Sequence, residues 1–377
     1  MIKKFSQFFA HLVAYGGFCI EDGIIYVWND PHLFIPLNSF ILFQSELYTL
    51  LGQDQTNKLL YWMGKIKGNV DDQVLIKRFG LKPSQIDDFL SAAAQDGFGS
   101  CEFVKPPNPN DLKEVLLKVD STIARALRTY THITGPVDYY FLGLIAAGGE
   151  VLYNINVTSE EISCVANGDK ECRFLIKRSQ KPESFAFLKK SGIEHTALLE
   201  RSRQLYLLRK SHFKVLSKKE ISFGDGSFSF RGVKGVIIAE RMFVILDYVL
   251  LKSLGKKYEA LQEKYAQSHI KEVYDPKIKA EIRPENIIEM LNLLSLFGLG
   301  SFHLVRILGN DLFVENKSNY YPSDHVFLFG RSKSPVDNFC VLLLKSLFQQ
   351  YFKKAPRIKE IQCRAVHSDT CLFKVSL

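Results

Sequence analysis

The apolar residues of this 377-residue chain follow two periods that alternate along it. Residues 38–52 and 241–255 are apolar runs ending in Gly52 and Gly255, and glycine readily takes the left-handed conformation that closes a helix. Residues 83–96 and 284–297 each open with proline, a helix-starting residue whose missing N–H costs nothing there. Both then carry apolar positions at spacings of three and four. Residues 136–148 and 335–349 predict two further apolar helices, again opened by proline. Strands are expected at 99–104 and 301–308, and paired strands at 161–166 with 171–176 and at 360–366 with 371–375. Asp22-Gly23, between Phe18, Ile20 and Ile25, Val27, predicts a tight hairpin. Helices beside neighbouring antiparallel strands give an α+β fold.

These elements come in the same order twice. Asp22-Gly23 lies 203 residues before Asp225-Gly226, and at that offset Phe40 meets Phe243 and Gly52 meets Gly255. Pro83, Ile86, Asp88 and Leu90 recur as Pro284, Ile287, Glu289 and Leu291 at an offset of 201, as do Gly97 to Ser100 with Gly298 to Ser301. Pro136-Val137-Asp138 recurs as Pro335-Val336-Asp337, and Cys164, Cys172 and Phe174 as Cys363, Cys371 and Phe373, at 199. An offset drifting by so little describes one module present twice. The expected organisation is a first module at 1–179 with an N-terminal lead-in helix, a helical connector at 180–219, and a second module at 220–377. Two such modules in one chain predict an internal pseudo-dimer.

Composition narrows the function. Hydrophobic residues are 46% and charged residues 24%, the profile of a globular chain rather than a disordered or membrane-spanning one. The net charge of +9 admits peripheral contact with an anionic membrane, but the basic residues are scattered and nucleic-acid motifs are lacking. Seven cysteines in this length do not make a disulfide scaffold, and a cytoplasmic location is expected. No glycine-rich nucleotide fingerprint appears, and no catalytic residue is assigned.

The chemistry lies at the end of each repeat, where Cys164 and Cys172, and Cys363 and Cys371, are spaced to meet at one end of a hairpin. Glu161 and Glu360 stand three residues ahead of the first cysteine, and Asp138 and Asp337 stand 26 ahead. Two sulfurs and two carboxylates suffice for a closed, structural tetrahedral Zn²⁺ site, about one per module. Glu161 and Cys164 have opposite parity on a regular strand, so they converge only through a bulge or turn. Two other readings stay open. The cysteines can be small buried apolar residues or a disulfide, and each aspartate can serve only the helix dipole.

These residues resemble the 4-vinyl-reductase-type domain. The resemblance rests on the Pro-Val-opened helix with Gly143 and on Glu161-x-x-Cys164-x(3)-Gly168-x(3)-Cys172-x-Phe174, repeated around Glu360, Cys363, Cys371 and Phe373. It implies a fold related to vesicle-tethering TRAPP subunits and to haem nitric-oxide sensor domains, with an antiparallel sheet, packed helices and an apolar pocket. It implies zinc held by the two cysteines, the glutamate and a helix cysteine, whose place is taken here by Asp138 and Asp337. His367 replaces Gly168 in the second copy and is a further candidate ligand, although a turn histidine is more often simply exposed.

The expected function is that of a non-enzymatic, zinc-stabilised binding protein that senses or carries a hydrophobic small molecule or lipid and acts through a protein partner. The alternative is a scaffold or tether without a ligand. Tyr61, Trp62 and Phe98 are candidate pocket walls as well as ordinary core residues. A cavity is expected under helices 38–52 and 83–96 of the first copy. In the second copy Leu293, Leu294, Leu296 and Phe297 replace Ala92, Ala93, Gln95 and Asp96, and bulkier side chains fill space.

Overall fold

The computed structural model describes residues 18–22, 24–27, 30–79, 90, 96–104, 113–130, 135–185, 188, 192–209, 221–224, 227–295 and 297–377. The lead-in helix, most of the 83–96 helix, Asp225-Gly226 and the connector beyond residue 209 lie outside them. The chain is α+β, and its two modules each carry an antiparallel sheet with packed helices and end in a cysteine-bearing hairpin.

In chain order, β1 (Phe18–Glu21), β2 (Ile24–Val27) and β3 (Asp30–Pro36) form a meander with Phe18 opposite Val27 and Ile25 opposite His32. Asp22 turns the first hairpin at φ 49°, a conformation aspartate tolerates better than most residues. Helices α1 (Leu37–Leu51) and α2 (Gln53–Phe79) follow, then β4 (Gly99–Phe103), β5 (Glu114–Ser121), α3 (Thr122–Tyr130), α4 (Tyr139–Tyr153), β6 (Asn156–Ser163), β7 (Cys172–Ser179) and α5 (His195–Leu208). The second half runs β8 (Ile221–Gly224), β9 (Ser227–Phe230), β10 (Val233–Ala239), α6 (Glu240–Leu254), α7 (Lys256–Val273), α8 (Pro284–Ser295), β11 (Phe302–Leu308), β12 (Asp311–Asn316), α9 (Tyr321–Phe329), α10 (Asn338–Phe352), β13 (Arg357–Gln362) and β14 (Cys371–Ser376). Strand order is β4-β5-β7-β6 in one four-stranded sheet and β11-β12-β14-β13 in the other.

The chain divides into two compact units that do not follow the midpoint of the sequence. One holds Phe40–Leu207 with residues 221–237, and the other holds residues 18–39, 208–209 and Ile238–Leu377. In the first unit the N–H of Ile237 donates to the carbonyl of Asp96 (2.9 Å). In the second, the N–H of Phe34 donates to the carbonyl of Phe297 (3.0 Å). Phe34 and Ile237 are 203 positions apart, and Asp96 and Phe297 are 201 apart, the same offsets as in the sequence repeat.

In the first unit α2 crosses α4 at glycine. A β-carbon at Gly64 would stand 2.0 Å from the carbonyl oxygen of Tyr140, and one at Gly143 would stand 2.1 Å from that of Tyr61. Only hydrogen fits at these two positions, so the backbones touch. That contact sets α4, and with it Asp138 at its N-terminus, against the sheet. No helix among the described residues is long and apolar enough to cross a membrane.

Candidate metal centres

In the first unit the strand–turn–strand of β6 and β7 brings two cysteines to one end of the sheet. The register of β6 on β7 shifts between Glu161 and Ser163, the irregularity that the parity of Glu161 and Cys164 requires. β13 on β14 shifts at the equivalent place, between Glu360 and Gln362. The strands end sooner than their apolar pattern suggests. β6 stops at Ser163 and a 3₁₀ turn, Val165–Asn167, follows Cys164. Gly168, at φ 96°, closes that turn where a side chain would be strained.

Asp138, Glu161, Cys164 and Cys172 are all buried, and each offers one ligand atom within 4.8 Å of the others. Glu161 Oε2 accepts the N–H groups of Val137 (2.9 Å) and Asp138 (3.0 Å), which fixes the start of α4. Asp138 Oδ1 accepts the Ser121 hydroxyl at 2.6 Å, and Ser121 Oγ in turn accepts the N–H of Ala124 (2.9 Å). The other carboxylate oxygens, Asp138 Oδ2 and Glu161 Oε1, are buried without a hydrogen-bond partner. Around the sulfurs, Val165 N–H donates to Cys172 Sγ (3.2 Å) and Cys164 N–H to Asp169 Oδ2 (2.8 Å).

The second unit repeats the cysteines and the glutamate with different surroundings. Glu360, Cys363 and Cys371 are buried and mutually within 4.8 Å, but Asp337 is not part of that group. Its Oδ1 caps α10 by accepting the N–H of Cys340 (3.2 Å), and its Oδ2 accepts the amide of Asn319. Both oxygens of Glu360 are buried without a hydrogen-bond partner. His367 is exposed and lies 3.3 Å from Arg331, outside the group.

Proton affinities follow from crowding anionic groups away from water. Burial, then the Cys164 charge, pushes Glu161 up to about 9. Burial and the Glu161 charge hold Asp138 well above the usual carboxylate range. The hydrogen bond from Cys172 draws Cys164 down to about 7, and the same bond raises Cys172. Likewise Cys363 falls to about 5 through Cys371, Cys371 rises, and burial lifts Glu360 to about 10.

These residues fit a resident zinc ion. Two sulfurs and two carboxylates give the donor set of a closed tetrahedral site, and a buried carboxylate oxygen without a partner is costly unless a cation takes it up. Asp138, Glu161, Cys164 and Cys172 would hold the metal in the first unit, and Glu360, Cys363 and Cys371 in the second. All seven cysteines are free thiols. Ser121 and Asn319, which decide where the two aspartates point, carry no spacing signal in the sequence.

The candidate pocket walls are tied into the core. Trp62 donates its Nε1–H to His195 Nδ1 (2.9 Å), and Tyr61 donates to Glu183 (2.9 Å) while accepting from Ser159 (2.7 Å). Phe98 packs on Tyr140 at 4.6 Å and edge-on to Phe40 at 5.3 Å. In the second unit Leu294 and Phe297 are at most 1% exposed.

No protein-family model matches the chain, and no curated protein does. Among solved structures, the phenol-responsive sensory domain of the transcription activator PoxR, determined with phenol, is similar over 46% of this chain and 89% of its own, at 18% identity and a TM-score of 0.41. A trafficking protein particle complex subunit 3 from Naegleria fowleri, covalently bound to palmitic acid, is similar over 39% of this chain and 99% of its own, at 15% identity and a TM-score of 0.27.

Proposed function

We propose that the chain is a non-enzymatic binding protein made of two modules, each pinned by a structural zinc ion at its cysteine hairpin. The first cluster carries this reading. Four buried ligand atoms stand within 4.8 Å of one another, and two buried carboxylate oxygens there lack a hydrogen-bond partner. Four acidic groups crowded that closely away from water cannot all ionise without a cation. Bound zinc would close the hairpin onto the start of α4 and contribute its binding free energy to folding. Elemental analysis of unchelated protein is expected to give about two zinc ions per chain, one at the four-donor cluster of the first unit and one at the three-donor cluster of the second. A value well below one removes the zinc reading.

The ligand we propose is a hydrophobic small molecule or lipid, with the signal passed to a protein partner or a membrane surface. It is supported by the sequence resemblance at the cysteine hairpins and by the aromatic content of 29 Phe and 16 Tyr. Solvent extraction and mass analysis of the purified protein would recover such a compound. A second reading, a scaffold without a ligand, is favoured by the packing of Tyr61, Trp62, Phe98, Leu294 and Phe297 into the core. An empty extract would select it.

A further inference from the structure

A cleft of about 1170 Å³ opens on the first unit between the C-terminal part of α2, the end of α4 and the strands β5 to β7, lined by none of the cysteine-cluster residues. Three cations line it, Lys77 from α2, Lys113 just ahead of β5, and Arg178 from β7. Its one acid, Glu150, is already engaged from the interior. Its Oε1 accepts the ammonium of Lys65 (2.8 Å), a side chain only 7% exposed that also pairs with Glu183. The described lining therefore carries more cationic than anionic side chains, and among the described residues neither Lys77 nor Arg178 has an ion-pair partner.

The second half of the chain shows that the fold does not require these cations. The N–H of Arg178 donates to the carbonyl of Lys113 at 3.1 Å, and the N–H of Leu377 donates to the carbonyl of Asn310 at the same distance. Asn154 and Lys353, which end α4 and α10, share a left-handed backbone at φ 50° and 56°. The same backbone frame thus carries Lys113 and Arg178 in one unit but Asn310 and Leu377 in the other. Sheet geometry explains the frame and leaves the charge unexplained.

The rest of the lining narrows the ligand. Gln73, Asn154, Asn156 and Gln180 offer amide donors and acceptors, and no aromatic residue is present. Without a ring on which a base could stack, the cleft lacks the usual platform for nucleobases. Guanidinium and ammonium groups suit phosphate oxygens, and amides suit hydroxyls. We propose that this cleft binds a small phosphorylated polyol, its phosphate held by Lys77, Lys113 and Arg178 and its hydroxyls by the amides.

Calorimetric titration of the full-length protein with glucose 6-phosphate, with glucose as control, tests this. Saturable binding of the phosphate ester alone, weakened as salt rises, is the expected result. The double variant Lys113→Asn/Arg178→Leu installs the residues of the second unit and should keep its melting temperature while losing about tenfold or more in affinity. Lys77→Ala should weaken binding in the same direction. Vesicles containing phosphatidylinositol 4-phosphate separate the two sources. Vesicle binding displaced by glucose 6-phosphate assigns a lipid headgroup, and binding of the soluble ester alone assigns a free metabolite. The proposal fails if neither probe binds saturably, or if the double variant binds as the wild type does. It also fails if single-stranded DNA is the tighter ligand and is held equally by the variant.

Discussion

At the scale of single residues, the two aspartates differ in whether they leave an oxygen open for a cation. Asp138 keeps one buried oxygen without a partner, whereas Asp337 gives both oxygens to Cys340 N–H and Asn319. Asp138→Asn should therefore speed zinc loss to a chelator, while Asp337→Asn leaves it unchanged, since asparagine still caps a helix; zinc release followed with a colorimetric chelator measures both. Cys164→Ala/Cys172→Ala should remove one zinc equivalent and lower the stability of the first unit by several kcal/mol, read from elemental analysis and thermal melting. An unchanged melt would make the pair mere packing.

His269 supplies a pH dependence independent of any metal. It is 1% exposed against Phe297, Tyr265 and Phe339, and burial lowers its pKa from 6.5 to about 3. The folded state then holds a neutral imidazole where the unfolded chain would take up a proton. Its stability contribution is complete above pH 6.5 and is lost as pH falls toward 3, at up to about 1.4 kcal/mol per pH unit. Denaturant titrations across that range should show the loss in wild type and a shallower slope in His269→Leu. Equal slopes would contradict the assignment.

At the scale of elements, the contact of α2 with α4 inverts an intrinsic preference. Alanine is a better helix former than glycine by about 1 kcal/mol, so Gly64→Ala or Gly143→Ala would stabilise a free helix. Here the added methyl would meet a carbonyl oxygen at 2.0–2.1 Å, and overpacking costs about 1–3 kcal/mol or more. Chemical denaturation should show both variants destabilised; a gain in stability would mean the helices are further apart. The same element shows why the sequence pattern missed it. α2 buries Lys65, Lys67 and Asp72 along with its apolar residues, and Lys67 pairs with Asp71 and Asp96. Paired charges inside the core erase the apolar stripe by which a helix is recognised. The strands β5 and β12 escaped the pattern too, whereas the shift after Glu161 is one of the two ways, bulge or turn, in which residue parity lets Glu161 and Cys164 converge.

At the scale of the whole molecule, each compact unit contains strands from the opposite end of the chain. If the halves are copies of one module, each unit is completed by the other copy's hairpin. Residues 1–209 expressed alone should then yield no stable folded monomer, only unfolded chain or a dimer that exchanges strands. Circular dichroism with size-exclusion chromatography distinguishes these, and a folded monomer would refute the exchange.

The features legible in the chain are local and repetitive. Side-chain period, proline and glycine placement, and the recurrence of Glu161, Cys164 and Cys172 as Glu360, Cys363 and Cys371 all act within a few residues. They are therefore readable from the chain. Tertiary structure alone decided which residues share a core. It placed Asp30–Pro36 in the unit of Phe297 rather than that of Phe98. It set Asn319 beside Asp337 and Ser121 beside Asp138, and it gathered Lys77, Lys113 and Arg178 around one cleft. These pairings span from 17 positions upward, and residue spacing carries no record of them because they depend on how whole elements pack.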